Sequence, residues 1–171
     1  MHQRWTEVRA RLPFRSVNRA GTPQHDPALQ RHHLLPCQLL TLRCFSRLFA
    51  GLGIDRVGFD DFRRNGILLP AREEAVRRLA LPLHRGPHRD YNEMVIEKVG
   101  RIEHRWSAHR ARQPQDAGRA AIAGLALLQV SLRKRLLDER APYRLNRKDP
   151  LGTGLDFSSL DAMADDLWNS T

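Results

Sequence analysis

A chain of 171 residues supplies enough apolar surface for one domain with a core and too little for two. Aromatic residues reach only 6% and charged residues 28%, and no apolar run approaches the length of a bilayer span, so a membrane-embedded protein is excluded in favour of a polar-surfaced, mainly helical globule. The net charge of +10 is uneven: residues 149–171 hold five acidic side chains and no Lys or Arg, leaving about +15 on residues 1–148. Such a body attracts polyanions, and nucleic acid is the natural partner class. The other reading of the same charge is an Arg-rich, solvated helix surface.

Residues 1–29 carry Pro13, Gly21, Pro23 and Pro27 without a sustained period, and are expected to form an N-terminal arm or linker. The first fourteen residues lack the continuous apolar segment of a secretory signal, so the expected location is the cytoplasm, or a target cell reached through a specialised secretion system. From Cys37 to Ala50 the apolar residues Leu39, Leu40, Leu42, Cys44, Phe45, Leu48 and Phe49 recur at three- and four-residue steps, which predicts one helix entered at Pro36 and stopped by Gly51 and Gly53. Cys37 and Cys44 would then lie two turns apart, about 10 Å at the helical rise, too far for a disulfide, so free and partly buried thiols are expected.

Residues 53–66 read as a polar loop leading into Ile67-Leu68-Leu69, a short buried strand ended by Pro70. A short helix follows over Ala71 to Ala80, with Glu73 and Glu74 near its positive end, and Leu81-Pro82-Leu83 carries the chain extended into His84. Tyr91, Met94, Val95, Val99, Ile102 and Trp106 form a helical stripe. Asp116 is placed to cap a second long helix whose buried face is Ala121, Leu125, Leu128, Leu132 and Leu136. After Pro142 the chain turns to loop and then to the acidic tail, which is expected to dock as a short amphipathic helix or to stay loose.

Three polar segments break these patterns. In Arg31-His32-His33 the two imidazoles point to opposite sides of an extended chain, which suits a division of labour, one on a metal and the other on a water beside it. In His84-Arg85-Gly86-Pro87-His88, Pro87 reads as the first helical residue and Gly86 as its cap, putting His88 in the first turn, where the helix dipole would keep its imidazole neutral and able to ligate. Arg64-Asn65-Gly66 is the third segment, and by itself it reads as a plain turn in which Gly66 supplies backbone freedom.

Taken in order, His-His-x-x-Pro, Asn-Gly-Ile-x-Leu-Pro and Leu-His-x-Gly-x-His-x-x-Tyr-Asn resemble the AHH nucleases of the HNH/endonuclease VII superfamily, a group common among bacterial polymorphic toxins. The resemblance runs from about Gln30 to Ile102 and departs at Arg31, where the family name implies Ala. It implies an α-rich α+β fold, a ββα-metal core flanked by several helices, with the nuclease domain over residues 30–148 and an acidic tail over 149–171. It also implies a metal-dependent endonuclease. His33 would be the general base, Asn65 the brace of the hairpin, His32 and His88 ligands of one divalent ion, and His84 a further ligand or a phosphate contact. Arg31, Arg85 and Arg89 flank these positions as nucleic-acid contacts. Imidazole ligands favour Zn, Ni or Mn over Mg. The implied partners are DNA ahead of RNA and a cognate immunity protein.

Two other readings stand beside this one. The first is a non-catalytic zinc module built from Cys37, Cys44, His84 and His88, which leaves His32 and His33 unexplained. The second is an RNA-cleaving or inactive member of the same fold, because the ββα core does not specify the polymer. The tail adds a hypothesis of its own, in which its five negative charges lie over the basic body and mimic nucleic acid.

Overall fold

Residues Leu29–His33 (β1) and Gly66–Pro70 (β2) pair antiparallel in the register Leu29 with Pro70 through His33 with Gly66, in a computed structural model that describes residues 10–85, 88–140 and 143–145. The backbone N–H of Leu34 extends this ladder by donating to the Asn65 carbonyl at 2.8 Å. Strand β2 is the Ile67-Leu68-Leu69 run expected from sequence, and Leu69 is fully buried.

Between the strands run Ser46–Leu52 (α1) and two single turns, Ile54–Val57 (α2) and Phe62–Asn65 (α3). The short helix Glu73–Leu79 (α4) follows β2, and the long helices Arg89–His109 (α5) and Pro114–Leu136 (α6) complete the order. The fold is α+β and predominantly helical, as expected, with a two-stranded sheet. Among the described residues no helix is long and apolar enough to cross a membrane.

Helices α5 and α6 pack along one another. Their buried faces contain Tyr91, Val95, Val99, Leu125 and Leu132, all on the stripes that helical spacing marks out. These meet Leu34, Leu35, Leu39, Leu48, Leu52 and Leu69 in one apolar cluster.

Four local expectations need correction. The stretch from Cys37 to Ala50 is not one helix: it makes 3-10 turns at Cys37–Leu40 and Arg43–Phe45 before α1, because Leu42 between them is extended at φ −78 and ψ 121. The break allows both Leu39 and Phe45 to reach the core, and it leaves Cys37 and Cys44 exposed and free. Residues 53–66 are more ordered than a loop, holding α2 and α3 in turn. Asp116 does not cap α6. Gln113 stands at that position, Pro114 opens the helix, and Asp116 lies in the first turn paired with Arg119.

The segment before β1 folds against the sheet. Phe62 N donates to the Leu12 carbonyl at 2.7 Å, Leu12 N donates to Asp61 Oδ1 at 3.2 Å, and Phe14 is buried. The acidic tail, and Gly86 and Pro87, expected as helix cap and first helical residue, lie outside the described residues.

Candidate metal centre

Strand β1 alternates. Gln30 and His32 fall on one face, Arg31 and His33 on the other. The His32 face meets the segment that enters α5. His84 is fixed there by its backbone N–H, which donates to the Pro70 carbonyl at 2.6 Å, and His88 stands as the N-cap residue of α5, which begins at Arg89. His88 is therefore one step ahead of the first turn in which its sequence position had suggested it.

The three imidazoles converge. One ring nitrogen from each of His32, His84 and His88 lies within 4.8 Å of the others, and the ring centroids are 4.9 Å apart for His32 and His84, 5.5 Å for His32 and His88 and 4.4 Å for His84 and His88. His32 Nε2 and His88 Nδ1 are buried without a hydrogen-bond partner among the described residues. Leaving buried nitrogens unpaired is costly, so a pair aimed at a common point fits a ligand that both would bind. His84 Nδ1 sits 3.0 Å from Gln30 Oε1, an outer hydrogen bond that frees Nε2.

All three rings are held neutral. Burial is the main cause for His32, reinforced by His84, His88 and His33, and it pushes that ring well below the ordinary imidazole range. Burial, then the neighbouring His88 and His33, pull His84 down to about 4. For His88, burial lowers the value against a smaller upward pull from the Leu145 hydrogen bond, so desolvation and not the helix dipole is the leading cause. Neutral nitrogens are the protonation state that metal ligation requires. An all-imidazole donor set fits a transition cation better than Mg, which prefers oxygen and water.

His33 stands at the strand's end on the opposite face, partly exposed, and is held below the ordinary range by burial. Asp60 pulls it up and Arg31 pushes it down. His33 is also one of the neighbours that hold the His84 value down.

Asn65 ends α3 with its side chain fully buried. Its Oδ1 accepts from Leu35 N at 2.7 Å and from Gln129 Nε2 at 3.3 Å, while its Nδ2 donates to the carbonyls of Leu35 and Phe59, each at 3.2 Å. It thereby pins the chain just after His32-His33. From α6, Arg133 donates to the carbonyls of Gly66 at 2.7 Å and of Arg64 and Phe62 at 3.4 Å, closing the C-terminal end of α3. Tyr91 on α5 sets its ring 5.0 Å from His32 and donates its hydroxyl to the Leu34 carbonyl at 2.7 Å.

The structure thus brings together His32, His84 and His88, with His33 and Asn65 adjoining. Arg31, Arg85 and Arg89 are exposed. Cys37 and Cys44 do not join the histidine group, which removes the ligand set of the zinc-module reading among the described residues. Sequence reasoning missed Gln30, Phe14, Gln129 and Arg133. Only Gln30 had a signal, since it lies two residues before His32 and so shares its face.

A strand pair and the helix that follows it bring three imidazoles together, a group able to hold a metal ion. The sequence model of the AHH family, described as a nuclease family of the HNH/ENDO VII superfamily with conserved AHH, matches residues 13–130, and the chain belongs to that family. No curated protein and no solved structure matches it.

Proposed function

We propose that this nuclease is a metal-dependent endonuclease that hydrolyses phosphodiester bonds in DNA, with His33 as general base and His32, His84 and His88 holding one divalent ion. The carrying observation is the convergence of three neutral imidazoles, two of whose buried nitrogens have no partner among the described residues, beside a fourth imidazole outside the group. A cation held there would supply positive charge for the phosphate and the departing oxygen.

The chain's own residues account for the rest. Neutral His33 accepts a proton from water as the water oxygen bonds to phosphorus and the phosphorus bond to the departing oxygen breaks. Asn65 fixes the backbone at Leu35 and so the direction from which His33 approaches. The exposed Arg31, Arg85 and Arg89 contact the phosphate backbone, and the strongly basic body supplies the wider attraction. The donor set favours Zn, Ni or Mn. The family's resemblance to polymorphic-toxin nucleases supports a bacterial effector role, with a cognate immunity protein as the partner. Co-expression with the neighbouring open reading frame checks this, and survival no better than without it would refute it.

The deciding experiment is nicking of supercoiled plasmid with each metal in turn, alongside a structured RNA. Activity with the transition metals on DNA is expected, with His33→Ala lowering the rate roughly 10²–10⁴-fold while metal content is retained. Undiminished cutting by His33→Ala would remove the base assignment. Cleavage of the RNA alone would overturn the choice of DNA.

A further inference from the structure

The face of β1 away from the metal cluster carries a feature that the proposed chemistry does not use. Phe14 lies flat on the His33 imidazole, ring centroids 3.7 Å apart and planes 2° from parallel. Among the described residues no hydrogen bond holds either nitrogen of the His33 ring, so this stack is the contact that sets its plane.

Phe14 is itself held from several sides. It is 7% exposed, its carbonyl accepts from Arg31 NH1 at 2.8 Å, and Phe62 meets its ring edge-on at 5.1 Å and 70°. Phe62 reaches that place because Gly66, the register partner of His33, has no side chain: a Cβ there would overlap the Phe62 ring. Just before Phe14, Pro13 bridges to Asp61 in the chain, and Leu12 bonds the Asp61 side chain. Gly66, Phe62, Phe14 and His33 are therefore packed in series, on a segment whose composition reads as linker.

We propose that Phe14 is a positioning residue for His33, fixing the imidazole plane so that its free nitrogen edge stays aimed past the end of the sheet toward the metal cluster. The inference rests on the reading of His33 as the base. An imidazole free to turn about its side-chain bonds would spend much of its time with that edge misdirected, and orientation errors of this size lower a rate without altering how tightly substrate binds.

The test uses the full chain and compares the parent with Phe14→Leu, Phe14→Tyr and His33→Ala, reading kcat and KM on plasmid DNA with saturating Mn²⁺, thermal midpoints, and, with diamagnetic Zn²⁺ in place of Mn²⁺, the NMR shifts of the His33 ring protons. In the parent these protons should lie upfield of those of exposed His104, as a ring held over an aromatic face requires; equal shifts would overturn the proposal whether or not any variant folds. Phe14→Leu should lower kcat about tenfold with KM within about twofold, below its thermal midpoint, and should abolish the upfield shift. Phe14→Tyr should restore both. If Phe14→Leu cuts like the parent while His33→Ala is inactive, the positioning role fails and the base assignment stands. If His33→Ala cuts like the parent, the base assignment fails and takes the positioning role with it. If the Tyr variant is as slow as the Leu variant, plain packing explains the loss and the proposal is refuted.

Discussion

Replacing Asn65 by Ala removes four hydrogen bonds from a fully buried side chain: two accepted at Oδ1 from Leu35 N and Gln129, and two donated from Nδ2 to the carbonyls of Leu35 and Phe59. Leu35 N–H and the two carbonyls lose a partner inside the core, at about 1–3 kcal/mol for each group left unsatisfied. The costs do not add fully because the turn relaxes, so the expected destabilisation is about 3–5 kcal/mol, a large share of the roughly 5–15 kcal/mol that holds a domain together. For a chain of this size that corresponds to a fall of roughly 6–20 °C in Tm. Urea unfolding of the purified variant measures it, with an unchanged m-value showing that stability alone has moved. Asn65→Asp retains the acceptor for Leu35 N but sets a carboxyl oxygen against two carbonyls, so it should rescue only part of the loss. A destabilisation below about 1 kcal/mol for the Ala variant would refute the claim that this side chain clamps the hairpin.

Gln30→Leu removes the outer hydrogen bond to His84 Nδ1 and should weaken zinc binding roughly 10–100-fold by titration calorimetry, with unchanged affinity showing that His84 is not a ligand. Gly66→Ala should destabilise by about 1–3 kcal/mol through overlap with the Phe62 ring, even though its φ of −118 suits any residue; denaturant midpoints equal to the parent's would contradict the packing described. Metal-free protein should lose stability as pH falls from about 6.5 towards 4. His84 is held near 4 when folded and titrates near its ordinary value when unfolded, so the unfolded chain takes up the proton first. Stability is thus full above the unfolded value and is lost through that window. His84 alone contributes about 1–3 kcal/mol once solvent screening of a partly exposed ring is allowed for, and urea midpoints that do not change between pH 7.5 and 4.5 would count against neutral imidazoles.

The helical stripes of α5 and α6, strand β2 and the three histidine- and asparagine-bearing blocks were all legible from residue order. An amphipathic helix writes its buried face as a local period, and metal-ligating residue types stand out against it. Local period misled where a turn intervened. Cys37 to Ala50 has helical spacing, yet extended Leu42 divides it, because two short turns send Leu39 and Phe45 into the core together. Gly66 reads as a source of backbone freedom, whereas its φ of −118 is ordinary and its missing Cβ is what Phe62 requires.

What tertiary structure alone decided are the contacts between segments far apart in the chain. Gln30 reaches His84 across 54 residues, Gln129 reaches Asn65 across 64, and Phe14 settles on His33 from a stretch with no period at all. Such pairs leave no repeating signature, since each partner's burial depends on an element elsewhere in the sequence. Residue types and their order thus carry the pattern of the nuclease family to which the chain belongs, and the packing of distant elements determines which imidazoles meet.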